Sequence, residues 1–368
     1  MLFLKSLFLV RYMLHAPPNQ HTKTNNIMKK APFTLMAFLL AFSSLLSNTP
    51  CETSLESENS FLGTWTIDIV GGGVAWLNVH EEQGVLDGEL LWIGGSVLPV
   101  SDIYVVDEHT LVVTRTSEQE LKTTSGEART HIRTWTLRIT KKNDAIAGTM
   151  TGPTWGRNGE ELSYFTGRRL PAVGQAPDVS ALKFGKPIKL FNGKDMTGWR
   201  PIDSNMANGF KVVNGTMQND PVQPENGEHI NYGNLRTDQE FDDFNLKLEV
   251  NVPKGNNSGV YLRGLYEIQV VDSYGLPLDS HNMGALYSRV TPSENAEKPA
   301  GEWQTMDITL VDRHVTVILN GKKIIDNAPA KGPTGGAISS DVFAPGPIYL
   351  QGDHGTVAYR NIVLTPIL

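Results

Sequence analysis

The 368-residue sequence contains a single cysteine, Cys51, so no disulfide bond can form within the chain. Charged residues amount to 19%, the formal net charge at pH 7 is -7, and no stripe of lysine or arginine is present. After residue 60, no long segment carries apolar residues at the 3.6-residue helical period. These absences exclude a disulfide-rich scaffold and a helical domain, and they disfavour a nucleic-acid partner.

Residues 1–50 have the features of an export signal. Met28 begins a short basic segment, an apolar run follows at 31–46, and small or polar residues come next, which is the order of a secretory signal peptide. The apolar run is short for a membrane span, so we expect no transmembrane helix in the mature chain. We predict that translation starts at Met28 and that the protein is periplasmic or extracellular. Cys51 stands where the anchor of an outer-membrane lipoprotein would attach, although Pro50 is a poor cleavage context.

Glycine and proline are plentiful, with 35 and 21 residues, as expected for short strands joined by tight turns. The length suggests two folded domains behind the leader. We place the first domain at residues 60–170, a semi-stiff linker at 171–187 and the second domain at 188–368. The predicted fold class is all-β, with an N-terminal antiparallel barrel or sandwich and a C-terminal sandwich.

The N-terminal domain opens on Gly-Thr-Trp at residues 63–65, which resembles the first strand of lipocalin-like barrels. Short strand-like segments with turn signals follow at close spacing, a pattern typical of an antiparallel barrel or sandwich. Trp76, Trp92, Trp135 and Trp155 could line a ligand cavity or fill a small barrel, and we favour filling. We find no catalytic constellation here, so we predict an accessory domain.

The stretch at residues 256–272 is the most informative part of the second domain, because it predicts two adjacent strands. Side chains alternate faces along a strand. Tyr261 and Arg263 then share a face of the first strand, and Glu267 and Gln269 share a face of the second. Such planar polar groups and an aromatic ring suit the binding of sugars, although alternation alone fits a solvated outer face equally well.

Several short motifs follow one another in the second domain. They are Leu-Phe-Asn-Gly-Lys-Asp at 190–195, Asn-Ser-Gly-Val-Tyr-Leu-Arg at 257–263, Tyr-Glu-Ile-Gln-Val at 266–270, Gly-Ala-Leu-Tyr at 284–287, Gly-Glu-Trp at 301–303, Leu-Asn-Gly at 319–321, Leu-Gln-Gly-Asp-His-Gly at 350–355 and Arg-Asn-Ile at 360–362. In this order they resemble the 3-keto-disaccharide hydrolase domain family, over roughly half of the chain. The resemblance implies a concanavalin A-like jelly-roll β-sandwich, found in secreted bacterial proteins that process oxidised sugars.

The same residues favour one type of bond cleavage. A retaining glycosidase needs two carboxyl groups about 5–5.5 Å apart, and glucanases of this fold place them at alternate positions of one strand. Here Glu267 is followed at the alternate position by Gln269, an amide, and Asp272 falls on the other face. A 3-keto sugar has an acidic C2 hydrogen, so one base, one acid and a positive group at the enolate oxygen suffice for elimination at C1. Water adding back at C1 completes a net hydrolysis.

We assign the catalytic roles to Glu267 as base, His354 as acid or base, and Arg263 at the enolate oxygen. The cofactor is left open; a divalent metal ion would take Glu267, Asp353 and His354 as ligands. The substrate-binding candidates are Gln269, Asn256, Asn257, Tyr261, Trp303 and His281. Spacing alone also allows His354 to be a turn histidine, and Arg263 to form a salt bridge with Glu267. We expect the site on the concave face of the sandwich.

Two other classes of function stay open. The domain could bind sugar without turning it over, as a lectin does, or it could be a glycoside hydrolase whose second carboxylate is Glu249 or Asp307. The predicted partner is an oxidised di- or oligosaccharide or glycoside.

Overall fold

The computed structural model describes residues 60–154, 159–225 and 227–368. Helix within these ranges is limited to one 3-10 turn, Val179–Ala181, so the all-β prediction is confirmed. No helix within these ranges is long and apolar enough to cross a membrane. The predicted leader at 1–50, Cys51 and Trp155 lie outside the described residues, so export and lipid anchoring stay predictions that sequencing of the mature N-terminus would test.

Nine antiparallel strands form the N-terminal domain. They are β1 (Gly63–Ile69), β2 (Val74–Glu82), β3 (Val85–Leu91), β4 (Leu98–Pro99), β5 (Asp102–Asp107), β6 (Thr110–Lys122), β7 (Ala128–Lys142), β8 (Ala145–Pro153) and β9 (Glu160–Leu170). The order is β4-β3-β2-β1-β9-β8-β7-β6-β5, so β1 pairs with both β2 and β9. At the two edges, Val100 N donates to Gly88 O of β3 (2.9 Å) and Ser101 N donates to Thr114 O of β6 (2.8 Å). These two residues close the sheet into a barrel.

The barrel interior is filled by aromatic and aliphatic side chains, as strand alternation predicts. Trp65 is fully buried there, and Trp92 and Trp135 pack against the same cluster. Trp76 instead lies between the inward-facing Ala75 and Leu77 and faces out of the barrel. Its ring packs under the guanidinium of Arg289, with Cζ 4.3 Å from the ring centroid. Trp76 therefore contributes to the contact between the two domains.

The connection between β9 and the first strand of the second domain runs along the C-terminal domain. Arg313 donates to Pro171 O (3.0 Å), Asn327 donates to Pro177 O (2.7 Å), and Gly185 N donates to Pro366 O (2.8 Å). These bonds hold the predicted linker in place, and residues Leu55–Leu368 form one compact unit.

The C-terminal domain is a sandwich of two antiparallel sheets. Its strands are β10 (Ile188–Lys189), β11 (Trp199–Pro201), β12 (Phe210–Val213), β13 (Thr216–Asn219), β14 (Leu235–Thr237), β15 (Phe244–Asn251), β16 (Asn257–Leu262), β17 (Tyr266–Val271), β18 (Trp303–Val311), β19 (His314–Leu319), β20 (Lys322–Pro329), β21 (Tyr349–Leu350) and β22 (Val357–Pro366). One sheet has the order β12-β13-β22-β15-β18-β19-β20, with β10 beside β22, and the other has the order β11-β14-β21-β16-β17.

The core lies between these two sheets. Val260 and Ile268 of the five-stranded sheet and Leu246 and Ile308 of the eight-stranded sheet are fully buried in one cluster. Because side chains alternate, the neighbours of Val260 and Ile268 project from the other face of the five-stranded sheet. That outer face carries Glu267, and we call it the Glu267 face.

Candidate active site

Three residues form a row across the Glu267 face. In backbone register, Tyr349 of β21 is opposite Tyr261 of β16, which is opposite Glu267 of β17. The two tyrosine rings stack with centroids 3.8 Å apart and planes inclined by 13°. The Tyr261 hydroxyl donates to Glu267 Oε2 at 2.7 Å. The ring of Tyr261, 1% exposed, is thus occupied by Tyr349 and does not form the open plate for a sugar that we expected.

The carboxyl group of Glu267 is almost completely enclosed, with the residue 4% exposed. Burial is the largest influence and raises the pKa of Glu267 to about 7, and the charge of Asp353 raises it further. The hydrogen bond from Tyr261 and the positive charge of His354 lower the pKa, but by less than burial raises it. Burial also keeps the pKa of Tyr261 well above its usual value, so the phenol retains its proton and remains a donor. Near neutral pH Glu267 can therefore both release and accept a proton.

Gly259 makes room for the Glu267 side chain. It lies opposite Gln269 on the same face, and a Cβ atom at this position would come within 2.4 Å of Glu267 Oε1. The carboxyl group therefore extends over the backbone of Gly259. Gln269 is 3% exposed, and its Oε1 accepts from Val270 N at 3.0 Å. Glu267 and Gln269 share this face, as alternation predicts.

His354 and Asp353 lie beside Glu267 on a loop between β21 and β22. The loop is held by the buried Asn219, whose Nδ2 donates to Gly352 O and Gly355 O, both at 2.9 Å. His354 Nδ1 is 2.6 Å from Asp353 Oδ1. Burial lowers the pKa of His354, but the hydrogen bond and charge of Asp353, together with the charge of Glu267, raise it overall above its usual value.

The open side of the site is at this histidine loop. The His354 side chain is 27% exposed and that of Asp353 46%. Asn256 fixes the loop to the start of β16, because its Oδ1 accepts from Thr356 N at 2.7 Å. Asn256 therefore holds the histidine loop in place, and its amide oxygen already accepts a hydrogen bond from Thr356 N.

Two amide oxygens on the Glu267 face have no hydrogen-bond partner among the described residues. They are Asn257 Oδ1 and Gln351 Oε1, and both atoms are buried. Asn257 lies in β16 two positions before Gly259, and Gln351 N donates to Gly259 O at 3.0 Å. Buried polar groups normally find a partner, so these two acceptor oxygens are suited to the hydroxyl groups of a sugar.

Arg263 does not share the face of Tyr261, because β16 ends one residue earlier, at Leu262. Arg263 lies in the turn with φ of 54°. Its guanidinium is 3.2 Å from Asp242 and donates to the carbonyl oxygens of Val342 (2.9 Å) and Ala344. The salt bridge is thus with Asp242 and not with Glu267, and Arg263 anchors a loop instead of facing the enolate position.

Trp303 lies on the other sheet. In β18, Met306 and Ile308 face the core, so Trp303 projects from the outer face of the eight-stranded sheet. There its ring is covered by Arg360, with Cζ 3.9 Å from the centroid. Trp303 cannot stack on a sugar bound at Glu267.

The two carboxylates considered as glucanase partners are on this same distant face. Glu249 is paired with Arg360 at 2.6 Å, and Asp307 with Lys247 at 3.0 Å. The core separates both from Glu267. The described residues therefore do not pair Glu267 with either of these carboxylates.

The predicted metal ligands are not gathered around one point. Among the described residues, one group of His, Asp or Glu has ligand atoms all within 4.8 Å, and it is His80, Glu82 and Asp87 on the barrel. The ligand atoms of Glu267, Asp353 and His354 are spaced more widely. This arrangement does not fit a single divalent ion.

The matches to known proteins agree with the fold. Residues 186–365 match the model of the 3-keto-alpha-glucoside-1,2-lyase-like domain. The lyase-like domain thus begins just before β10 and includes the whole Glu267 face, whereas the barrel lies outside the match. The recognition from the sequence motifs is confirmed, and the β-sandwich expected for this domain is observed.

Solved structures resemble the lyase-like domain more distantly. A protein from Parabacteroides distasonis, assigned provisionally as a glycosyl hydrolase, is 28% identical, with a TM-score of 0.41 over 52% of this chain and 93% of its own. A non-specific endo-β-1,3(4)-glucanase is 13% identical, with a TM-score of 0.33 over 53% of this chain and 94% of its own. A carbohydrate-binding module from Bacillus subtilis is 14% identical, with a TM-score of 0.28 over 45% of this chain and 93% of its own. These scores are too low to indicate function, and a search of curated proteins finds no match.

Proposed function

We propose that the lyase-like domain cleaves the glycosidic bond of 3-keto glycosides, including 3-keto disaccharides, by elimination followed by hydration. The observation that carries the proposal is that the charges of Glu267 and His354 act on each other within one site. Glu267 has a pKa of about 7, and the pKa of His354 is raised above its usual value. Near neutral pH, a carboxylate base and an imidazolium acid are therefore present together, which is the requirement for coupled proton transfers.

The reaction follows from the acidity that a C3 ketone gives to the C2 hydrogen. The Glu267 carboxylate takes the C2 proton, and the electron pair of that bond moves into the enolate. The C1–O bond then breaks as the enolate collapses, and His354 protonates the leaving oxygen. Water then adds at C1 and gives one proton to the neutral His354, while C2 regains a proton from Glu267, so both groups return to their starting state and the net change is hydrolysis.

The remaining groups on the Glu267 face support this chemistry. The Tyr261 hydroxyl fixes the orientation of the carboxylate. The amides of Asn257 and Gln351 can each turn to present their NH2 group, because the oxygen and nitrogen of an amide exchange places by a simple flip. We assign them to the enolate oxygen, the role predicted for Arg263 from the sequence.

A purely lectin-like role is less well supported. The two stacked aromatic rings beside Glu267, those of Tyr261 and Tyr349, are both at most 1% exposed. A binding platform for a sugar needs an accessible ring, whereas a buried carboxyl group with a raised pKa is typical of a catalytic acid or base.

Turnover of matched sugars tests the proposed function. The enzyme should cleave 3-keto-trehalose or 3-keto-lactose and should leave the unoxidised parents intact, since only the ketone acidifies C2. A parallel assay with a chelator tests the divalent ion that the sequence left open. Equal rates on the oxidised and parent sugars would favour direct hydrolysis over elimination. Binding without turnover would favour the lectin-like role.

A further inference from the structure

The barrel meets the lyase-like domain beside the candidate active site. Ser96, on the barrel loop between β3 and β4, has its Oγ 2.9 Å from His281 Nε2 and 3.5 Å from the Tyr287 hydroxyl. The backbone of the next residue is also tied across, because Val97 N donates to Ser288 Oγ at 2.9 Å. We call Ser96, His281 and Tyr287 the junction cluster.

The junction cluster continues the row that contains Glu267. Tyr287 N donates to Glu267 O at 3.0 Å, and the neighbouring residues Leu286 and Ile268 form an antiparallel bridge. Residues directly opposite in an antiparallel pair project to the same face, so Tyr287 lies on the Glu267 face. Burial raises the pKa of Tyr287, and the charge of Glu267 contributes to the rise, as proximity requires.

The barrel loop is held firmly in this position. Gly94 N donates to Gly335 O at 2.7 Å, and a Cβ atom on Gly335 would come within 2.3 Å of Gly95 O. The next residue, Gly336, lies on the hydroxyl groups of Tyr261 and Tyr349, because a Cβ there would come within 2.2 Å and 2.7 Å of them. One short segment is therefore packed between the barrel and the row of the active site.

The chemistry of the junction cluster suits a sugar ring. It offers a hydroxyl group, an imidazole and a phenol, which donate and accept hydrogen bonds. Asp279 Oδ1 lies 2.5 Å from His281 Nδ1 and fixes the ring, leaving Nε2 directed at Ser96. The His281 side chain is 24% exposed, so the cluster can be reached from solvent.

We propose that the barrel contributes to substrate recognition, and that the junction cluster binds the second sugar ring, the one that leaves from C1. The inference rests on the proposed function for the identity of the reacting ring at Glu267. It assigns the N-terminal domain a role in choosing disaccharides over glycosides with a small leaving group.

The test compares a 3-keto disaccharide with the methyl 3-keto glucoside, which lacks the second ring. Ser96→Ala removes the hydroxyl that the barrel supplies to the junction cluster. Because one hydrogen bond to the second ring is lost, kcat/KM should fall about fivefold more for the disaccharide than for the methyl glycoside. Ser340→Ala is the matched control. It also removes a hydroxyl that bonds across the two domains, to Asp68 at 2.8 Å, but away from the junction cluster. This control should leave the ratio between the two substrates unchanged.

Equal losses on both substrates in Ser96→Ala, or no loss on either, would overturn the assignment. A second measurement separates this inference from the proposed function. Isothermal titration of the unoxidised parent disaccharide should show weaker binding to Ser96→Ala than to wild type, whether or not the wild type turns over a 3-keto sugar. Unchanged affinity would overturn the subsite and leave the proposed reaction standing.

Discussion

Glu267→Gln should lower turnover of a 3-keto glycoside by about 10²–10⁴-fold, the usual contribution of one general base. Glutamine has nearly the same shape and can still accept the hydrogen bond from Tyr261, which is 2.7 Å long in the native site. It cannot take a proton from C2. The loss should therefore appear in kcat, with a smaller change in KM, and steady-state kinetics on purified protein would measure it.

The stability of this variant provides the control. The pKa of Glu267 determines whether the variant is more or less stable than wild type at a given pH. The pKa of Glu267 rises from 4.5 to about 7 on folding, so the folded state holds the proton more tightly than the unfolded chain. The wild type then loses stability as the pH rises from about 4.5 to 7, by up to about 3 kcal/mol. Glu267→Gln avoids this loss and should unfold at a higher temperature than wild type at pH 8, with a small difference at pH 4.5. An inactive variant that is less stable than wild type at pH 8 would contradict the claim that burial raises the pKa of Glu267.

Gly259→Ala should reduce turnover about 10²-fold while the domain still folds. The new Cβ would lie 2.4 Å from Glu267 Oε1 and 3.0 Å from its Cδ, so the carboxyl group must move. A displacement of about 1 Å at a reacting group can cost a factor of this size. Alanine fits the strand backbone, and we expect a stability loss of only about 1–3 kcal/mol from overpacking.

Gly174→Ala is the matched control, since a Cβ at this linker position meets no atom within 4 Å. Kinetics and thermal unfolding of both variants separate displacement of Glu267 from a general effect of the added methyl group. If Gly259→Ala kept full activity, Glu267 would not be the catalytic base in the conformation described here.

Sequence reasoning placed Glu267 and Gln269 correctly on one face because strand alternation is a local rule. The same rule failed at Arg263, where the strand ends one residue early and the chain enters a turn with φ of 54°. A one-residue error in a strand end is enough to redirect a side chain, and no local signal in the sequence marked this end.

Features that depend on long-range pairing were missed. Trp303 is the last residue of the Gly-Glu-Trp motif, but its strand belongs to the sheet opposite Glu267. Tyr287 was visible only as part of the Gly-Ala-Leu-Tyr motif, and its place beside Glu267 depends on an antiparallel bridge between Leu286 and Ile268. The bond from Ser96 to His281 joins residues 185 positions apart, in different domains. No motif in the sequence associates the barrel with the site.

The central claim, that Glu267 removes the C2 proton, is tested most directly by carrying out the cleavage in D₂O. Glu267 exchanges the proton that it has taken with solvent before hydration returns a proton to C2, so the released 3-keto sugar should carry deuterium at C2. Early samples are compared by NMR or mass spectrometry with an enzyme-free control and with Glu267→Gln, because 3-keto sugars also exchange slowly on their own. The account predicts deuterium at C2 at the rate of product formation with wild-type enzyme, and only the background rate in the variant. Product formed at the full rate with hydrogen retained at C2 would contradict it.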